Sequence, residues 1–222
     1  MIALFAAEGE EADALVRRLI SKTRERGPFR AFSGQFAGKD AVIVQTFPGK
    51  AAAAAAVAWA LTTYQPQRAF FAGVAGALSP ELEQGELLVA LDAVHWDVDL
   101  TPFGREPGEL ATGERFIPSD PQLAAMLEEA ANARVGRIAT GDRFVADPEL
   151  AEWIRETFHA DAVDMEGASA LWTARRYHVP MTLLRVISDN ALWGADADFA
   201  SFLVEGSERM ASALEQVIAQ LP

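Results

Sequence analysis

The sequence predicts an α/β fold: a single three-layer domain with a central mixed, mainly parallel twisted sheet flanked by helices. Three observations carry this. Strand-like and helix-like hydrophobic patterns alternate along all 222 residues, the signature of stacked strand–helix units. The run Met181-Thr182-Leu183-Leu184-Arg185-Val186-Ile187 is nearly all apolar and reads as a strand buried on both faces. Carboxylates stand where apolar runs end, in Asp164-Met165-Glu166 and in Ser188-Asp189. In open α/β sheets ligands bind outside the carboxyl ends of the strands, so these ends form the candidate site.

The elements follow in order. Met1-Ile2-Ala3-Leu4-Phe5 opens a strand over residues 2–7, and Ala12, Leu15 and Leu19 at helical spacing predict a helix over 9–25. Strands over 28–36 and 40–47 flank the turn Ala37-Gly38-Lys39-Asp40. Pro48-Gly49-Lys50 starts an Ala-rich helix reaching Tyr64. A strand over 68–74 runs into Gly73-Val74-Ala75-Gly76, and residues 84–97 hold one or two more strands. Pro102, Gly104, Pro107, Gly108 and Gly113 make residues 99–114 a loop. Pro118-Ser119-Asp120-Pro121 caps a helix to Ala133. A strand over 135–141, a short helix over 147–157, a strand ending at Asp164 and a helix from Glu166 to Tyr177 come next. After the 181–187 strand, a loop over 190–198 leads to a closing helix over 199–220. With no repeat, linker or composition break, residues 1–222 read as one domain.

Composition narrows the function. Half the residues are hydrophobic and 23% are charged, as in a globular protein. A net charge of −13 argues against nucleic acid as a partner, since phosphate neutralisation needs clustered Lys and Arg. The absence of cysteine rules out disulfides, thiolate metal sites and a cysteine nucleophile. His95, His159 and His178 lack metal-ligand spacing, and no metal or cofactor is expected. The N-terminus lacks the basic and long apolar regions of a signal peptide, and the apolar stretch 51–61 is too short to span a bilayer. A cytoplasmic protein with no membrane partner is expected.

Several residues carry two readings. Glu8, Glu10 and Glu11 sit where the first strand becomes a helix, either complementing the helix dipole or placing a general base at a strand end. Gly73-Val74-Ala75-Gly76 is a plain turn or a close backbone approach to a ligand, and fits neither the P-loop nor the dinucleotide fingerprint. Phe144, in Gly141-Asp142-Arg143-Phe144, is core or offers its ring to a flat heterocycle. Glu166 caps a helix or binds, and Asp189 shapes a turn or acts chemically. Arg185, inside an apolar strand, needs a carboxylate, with Glu11 or Glu166 as candidates, unless it snorkels from an edge. Trp193 is core or closes over a ligand.

The order and spacing of these motifs resemble the nucleoside phosphorylase/nucleosidase superfamily, and within it the 5′-methylthioadenosine/S-adenosylhomocysteine nucleosidases. The matching stretches include Pro48-Gly49-Lys50-Ala51-Ala52-Ala53, Gly73-Val74-Ala75-Gly76-Ala77-Leu78-Ser79-Pro80 and Asp97-Val98-Asp99-Leu100-Thr101-Pro102-Phe103-Gly104. They also include Gly141-Asp142-Arg143-Phe144, Val163-Asp164-Met165-Glu166-Gly167-Ala168 and Arg185-Val186-Ile187-Ser188-Asp189. The resemblance implies a nucleoside phosphorylase-like fold and a nucleosidase that releases adenine without a cofactor. It implies that Asp189 protonates the purine, that Glu11 activates water and that Arg185 steadies Glu11 and the water. Glu166 would hold the ribose hydroxyls, Met165 pack on the sugar, Phe144 stack on the base and Ser188 support Asp189. Val145, Val74, Gly76, Glu8 and Pro48 join the substrate-binding set. A homodimer is also implied, with Leu100 and Phe103 reaching the neighbour's pocket.

Phe70-Phe71-Ala72 carries no Arg, and the first strand runs into acids, which favours water over phosphate as nucleophile. A carboxylate at 189 can accept a hydrogen bond from a 6-amino group, which favours adenine, although Asn190 is adjacent. Three departures leave the 5′ substituent open. Val74 replaces a small hydroxyl residue, Glu8-Gly9 interrupts a Met-Glu pattern, and Pro48 replaces a branched aliphatic residue. A futalosine hydrolase, a phosphorylase and a non-catalytic nucleoside binder are the rival readings.

Overall fold

The computed structural model describes residues 1–190 and 195–221, with side chains for 1–189 and 202–221. Trp193 lies outside the described residues. Strand β1 (Ile2–Ala6) is buried throughout. Ala3 and Phe5 point into one apolar cluster, and Ile2, Leu4 and Ala6 into another. A period of two with both faces apolar requires cover on both sides. β5 (Arg68–Ala77) and β10 (Met181–Asn190) share the pattern: Phe71 and Leu183 face the first cluster, Phe70 and Leu184 the second.

Helices α2 (Lys50–Tyr64) and α5 (Gly167–Arg176) cover the first face. Helices α1 (Gly9–Arg17), α3 (Pro121–Ala131) and α6 (Ala195–Ala219) cover the second. α4 (Pro148–Phe158) packs separately around Trp96 and Leu78. The remaining strands are β2 (Ile20–Arg24), β3 (Arg30–Phe36), β4 (Lys39–Gln45), β6 (Leu87–His95), β7 (Ile117–Pro118), β8 (Arg134–Thr140) and β9 (Ala162–Asp164).

The expected three-layer α/β architecture is present. The sheet runs β2-β3-β4-β1-β5, and β5 then pairs with both β9 and β10. Because β9-β8-β6-β10 are also neighbours, these strands and β5 close into a ring. β4, β1, β5 and β10 run parallel to one another, so their carboxyl ends open together on one side.

Several boundaries differ from the sequence expectation. The helix expected over 9–25 ends at Arg17, and β2 follows. Leu19 is the last apolar residue on the helical stripe; beyond it Lys22, Thr23 and Arg24 have no face to bury, and the segment pairs with β3 as an exposed edge. Gly73 to Gly76 is not a turn: β5 continues to Ala77 because β9 and β10 supply partners on both sides. β10 likewise extends to Asn190, so the loop expected from 190 does not begin there, and α6 starts at Ala195. The stretch 84–97 holds one strand, β6, while the two-residue β7 pairs with it.

Candidate active site

A cavity of about 150 Å³ opens at the carboxyl ends of β1, β5 and β10. It is lined by Glu8, Glu11, Pro48, Val74, Gly76, Phe144, Val145, Met165, Glu166, Ser188 and Asp189, all singled out in the sequence. Ala7, Ala75, Arg143, Val163 and Asp164 complete the wall. Leu100 and Phe103 are not among the lining residues; Phe103 ends the 3-10 turn Thr101–Phe103 and is 82% exposed.

Glu11 is the third residue of α1, at the end of β1, and is 2% exposed. Its Oε2 accepts the Ala7 and Glu8 N–H groups, each at 2.9 Å, and its Oε1 accepts the Val74 N–H at 2.9 Å. Glu11 thus takes part in the capping box of α1, and the same residue lines the cavity. Burial raises its pKa, and the backbone donors and the Arg185 charge only partly oppose this. The carboxylate reaches β5 because position 73 lacks a side chain: a Cβ on Gly73 would lie 2.8 Å from Glu11 Oε1. The Val74 contact is made by the backbone, so loss of a side-chain hydroxyl there leaves it intact.

Asp189 sits beyond an irregularity in the β10–β5 register between Ile187 and Asp189. Such bulges re-aim side chains beside active sites. Asp189 is 4% exposed, and its Oδ2 accepts the Ser188 hydroxyl at 2.5 Å. Gln84 Nε2 donates to the Ser188 carbonyl at 2.7 Å, fixing the bulge from the loop before β6.

Glu166 precedes α5 and is buried at 7% exposure. Its Oε1 accepts the Gly49 N–H at 2.8 Å. Burial, then the neighbouring Asp164 charge, pushes its pKa up to about 8. Phe144 is 44% exposed and on the cavity wall, so it is not a core residue.

Arg185 does not bond Glu11 or Glu166, as the sequence had suggested. Its Nη2 and Nε donate to Asp164 Oδ2 at 2.7 and 3.1 Å, and its Nη1 donates to the Phe71 carbonyl at 3.0 Å. The reason is register. β9 and β10 flank β5 on opposite sides, which brings Asp164 at the end of β9 within reach of Arg185 beneath the cavity floor. Asp164 was read only as a carboxylate at a strand end; its part as the partner of Arg185, and its further donor Thr140 (Oγ1 to Oδ1, 2.5 Å), are what the sequence reading missed. The signal was present: an Asp ending a buried strand and an Arg inside another each demand a partner. His95, at the end of β6, is not among the lining residues; burial, then the Lys50 charge, lowers its pKa to about 4 and keeps it neutral.

The arrangement places three buried carboxyl groups, Glu11 beyond β1, Glu166 beyond β9 and Asp189 on β10, around β5, the strand these three share as a neighbour. Such a set can hold a proton on one side of a bound molecule, accept one from water on another and grip hydroxyls between them.

Comparison with known proteins shows the family and the fold. The phosphorylase superfamily model matches residues 1–219. An aminodeoxyfutalosine nucleosidase of Campylobacter jejuni is 34% identical over 213 residues, covering 93% of each chain. A 5′-methylthioadenosine/S-adenosylhomocysteine nucleosidase of Tolumonas auensis is 30% identical over 217 residues, covering 94% of each. The solved S-adenosylhomocysteine nucleosidase of Streptococcus pyogenes, in complex with a methylthio-nucleoside analogue, superposes with a TM-score of 0.95 at 32% identity, over 100% of this chain and 97% of that one.

Proposed function

Because this chain belongs to the phosphorylase superfamily, among its purine nucleosidases, we propose that it hydrolyses 5′-methylthioadenosine, S-adenosylhomocysteine or both. The products are adenine and the 5-thio-ribose. The observation that carries the reading is the enclosure of Glu11, Glu166 and Asp189 in one cavity.

In this mechanism Asp189 donates a proton to purine N7 as the glycosidic bond breaks, so the base leaves neutral. Positive charge builds on the sugar, and the Glu11 carboxylate stabilises it. Glu11 takes a proton from a water molecule whose oxygen bonds to the anomeric carbon. Its raised pKa brings it toward the range where a general base works best. Glu166 grips the ribose hydroxyls, Met165 packs on the sugar, and Phe144 and Val145 enclose the base. Arg185 acts indirectly: paired to Asp164, it leaves Glu11 free to accept while its charge remains close enough to lower the Glu11 pKa. Leu100 and Phe103 serve a second subunit of a cytoplasmic homodimer, which the exposure of Phe103 supports.

The 5′ end of the substrate follows from sheet order. Asp189 on β10 and Glu8 beyond β1 are separated by β5, so with the base at Asp189 the 5′ group points toward Glu8 and Pro48. Glu8 there disfavours an anionic 5′ group and tolerates a thioether or an ammonium. A carboxylated substrate such as aminodeoxyfutalosine is the second reading, favoured by the 34% identical Campylobacter relative and by Arg143 on the wall.

The deciding test follows free base by chromatography from methylthioadenosine, S-adenosylhomocysteine, adenosine, inosine, futalosine and aminodeoxyfutalosine, with and without phosphate. Phosphate-independent adenine, released fastest from the thio-nucleosides, is expected. Faster release from the carboxylated substrates would move the substrate, and dependence on phosphate would overturn hydrolysis.

A further inference from the structure

A chain of hydrogen bonds leads from Glu166 to two carboxylates that take no part in the reaction described above, Asp142 and Asp97. Helix α2 begins at Gly49 without a side-chain cap. Its first N–H groups are met by carboxylates from elsewhere in the fold. Gly49 N–H donates to Glu166 Oε1 at 2.8 Å, and Lys50 N–H donates to Asp142 Oδ1 at 2.7 Å. Asp142 is held in turn by Asp97, whose Oδ2 accepts the Asp142 N–H at 2.9 Å. The other Asp97 oxygen accepts Lys50 Nζ at 2.6 Å. Asp97 therefore ties the loop after β6 to the loop after β8 and to the start of α2. The Asp97 and Lys50 side chains are only 22% and 20% exposed, which limits screening by water. Gly49 has φ +104°, and a Cβ there would lie 3.2 Å from Asp142 Oδ1, so the turn is fitted closely to this carboxylate.

We propose that Asp97 is a positioning residue for sugar recognition, acting through Asp142 and Lys50 on the Gly49 N–H and through that N–H on the orientation of Glu166. The inference rests on the reading of Glu166 as the group that grips the ribose hydroxyls. The terminal torsion of a Glu side chain is broad, so the Gly49 N–H decides which oxygen of Glu166 faces the cavity. A small displacement of the α2 start is transmitted directly to it, and misplacement of about 1 Å costs up to about a hundredfold in rate.

The test compares Asp97→Asn and Asp142→Asn with the unaltered full chain on 5′-methylthioadenosine and on its 2′-deoxy and 3′-deoxy analogues. Asp97→Asn is expected to lower kcat/KM by about tenfold or more on the ribosyl substrate. On the analogue lacking the hydroxyl that Glu166 holds, the loss shrinks to about threefold or less. In a Glu166→Gln background, adding Asp97→Asn should cost little more, which is the coupling expected of residues acting in one chain. Melting temperatures of each variant separate folding from positioning, and Asp142→Asn repeats the test without touching Asp97. Equal losses on every substrate, or full additivity with Glu166→Gln, would overturn the proposal alone. A silent Glu166→Gln would overturn the reading of Glu166 and the proposal with it.

Discussion

Arg185 and Asp164, the latter on the cavity wall, face each other with both side chains 1% exposed, joined at 2.7 Å. Gly167 N–H adds a bond at 3.0 Å to the same Asp164 oxygen. A pair this deep is weak evidence for stability in itself, but removing one partner strands a charge. Asp164→Ala should therefore destabilise the fold by about 3–5 kcal/mol, read from denaturant midpoints. A loss below about 1 kcal/mol would mean that the Phe71 and Leu184 carbonyls alone satisfy the guanidinium.

Glu11→Gln should reduce kcat by about 10²–10⁴-fold, the usual worth of a positioned general base, while the Kd for 5′-methylthioadenosine changes little. Gly73→Ala should give a comparable loss by steric means, since its Cβ would meet Glu11 Oε1 at 2.8 Å. Single-turnover kinetics with calorimetry check both. Unimpaired turnover in Glu11→Gln would place the base elsewhere.

Asp189→Asn removes the transferable proton and should cost about 10²–10⁴-fold in kcat. Ser188→Ala, which deletes the 2.5 Å hydrogen bond to Asp189, should cost less because the carboxyl remains. If the two variants were equally impaired, the hydroxyl rather than the carboxyl would be the essential group.

The pH dependence of stability follows from Glu166. Its pKa rises from the ordinary 4.5 to about 8, so the folded protein keeps a proton that the unfolded chain releases across that window. Folded stability from this group is thus full below about pH 4.5 and falls as pH rises toward 8. The slope is at most about 1.4 kcal/mol per pH unit for one proton. Glu166→Gln should flatten that slope in denaturation curves between pH 5 and 8. An unchanged slope would assign the proton to another group.

Glu8→Met replaces the acid on the cavity wall with an apolar side chain. The ratio of kcat/KM for aminodeoxyfutalosine to that for 5′-methylthioadenosine should rise by about tenfold, the effect of removing a like charge worth about 1.4 kcal/mol. Competition assays measure that ratio directly, and no change would show that the 5′ group does not pass Glu8.

The strands and their terminal carboxylates were legible because burial on both faces leaves a plain signature, an apolar run closed by Asp or Glu, as at Ile187-Ser188-Asp189. Glu11, Glu166 and Asp189 stood out on that basis, whereas the base-stacking role of Phe144 came only from the family resemblance. The Arg185–Asp164 pair was only half legible, because the need for a carboxylate is local while its identity depends on which strands flank β5. Lys50, Asp97 and Asp142 lie in stretches that carry the family resemblance, but their junction was not legible, since it joins loops far apart in sequence. The end of α1 was misjudged because Ala12, Leu15 and Leu19 fix a helical stripe without saying where it stops.

The ring formed by β5, β10, β6, β8 and β9 leaves few places for another chain to add a strand. Among the described residues, the sheet path ends at β2, which is exposed along its whole length. That edge carries Lys22 and Arg24 and an irregular register between Ile20 and Thr23. Charge and a broken ladder are the devices by which natural sheets resist edge-to-edge aggregation. The segment that sequence periodicity had extended as helix thus guards the protein against self-association through its sheet.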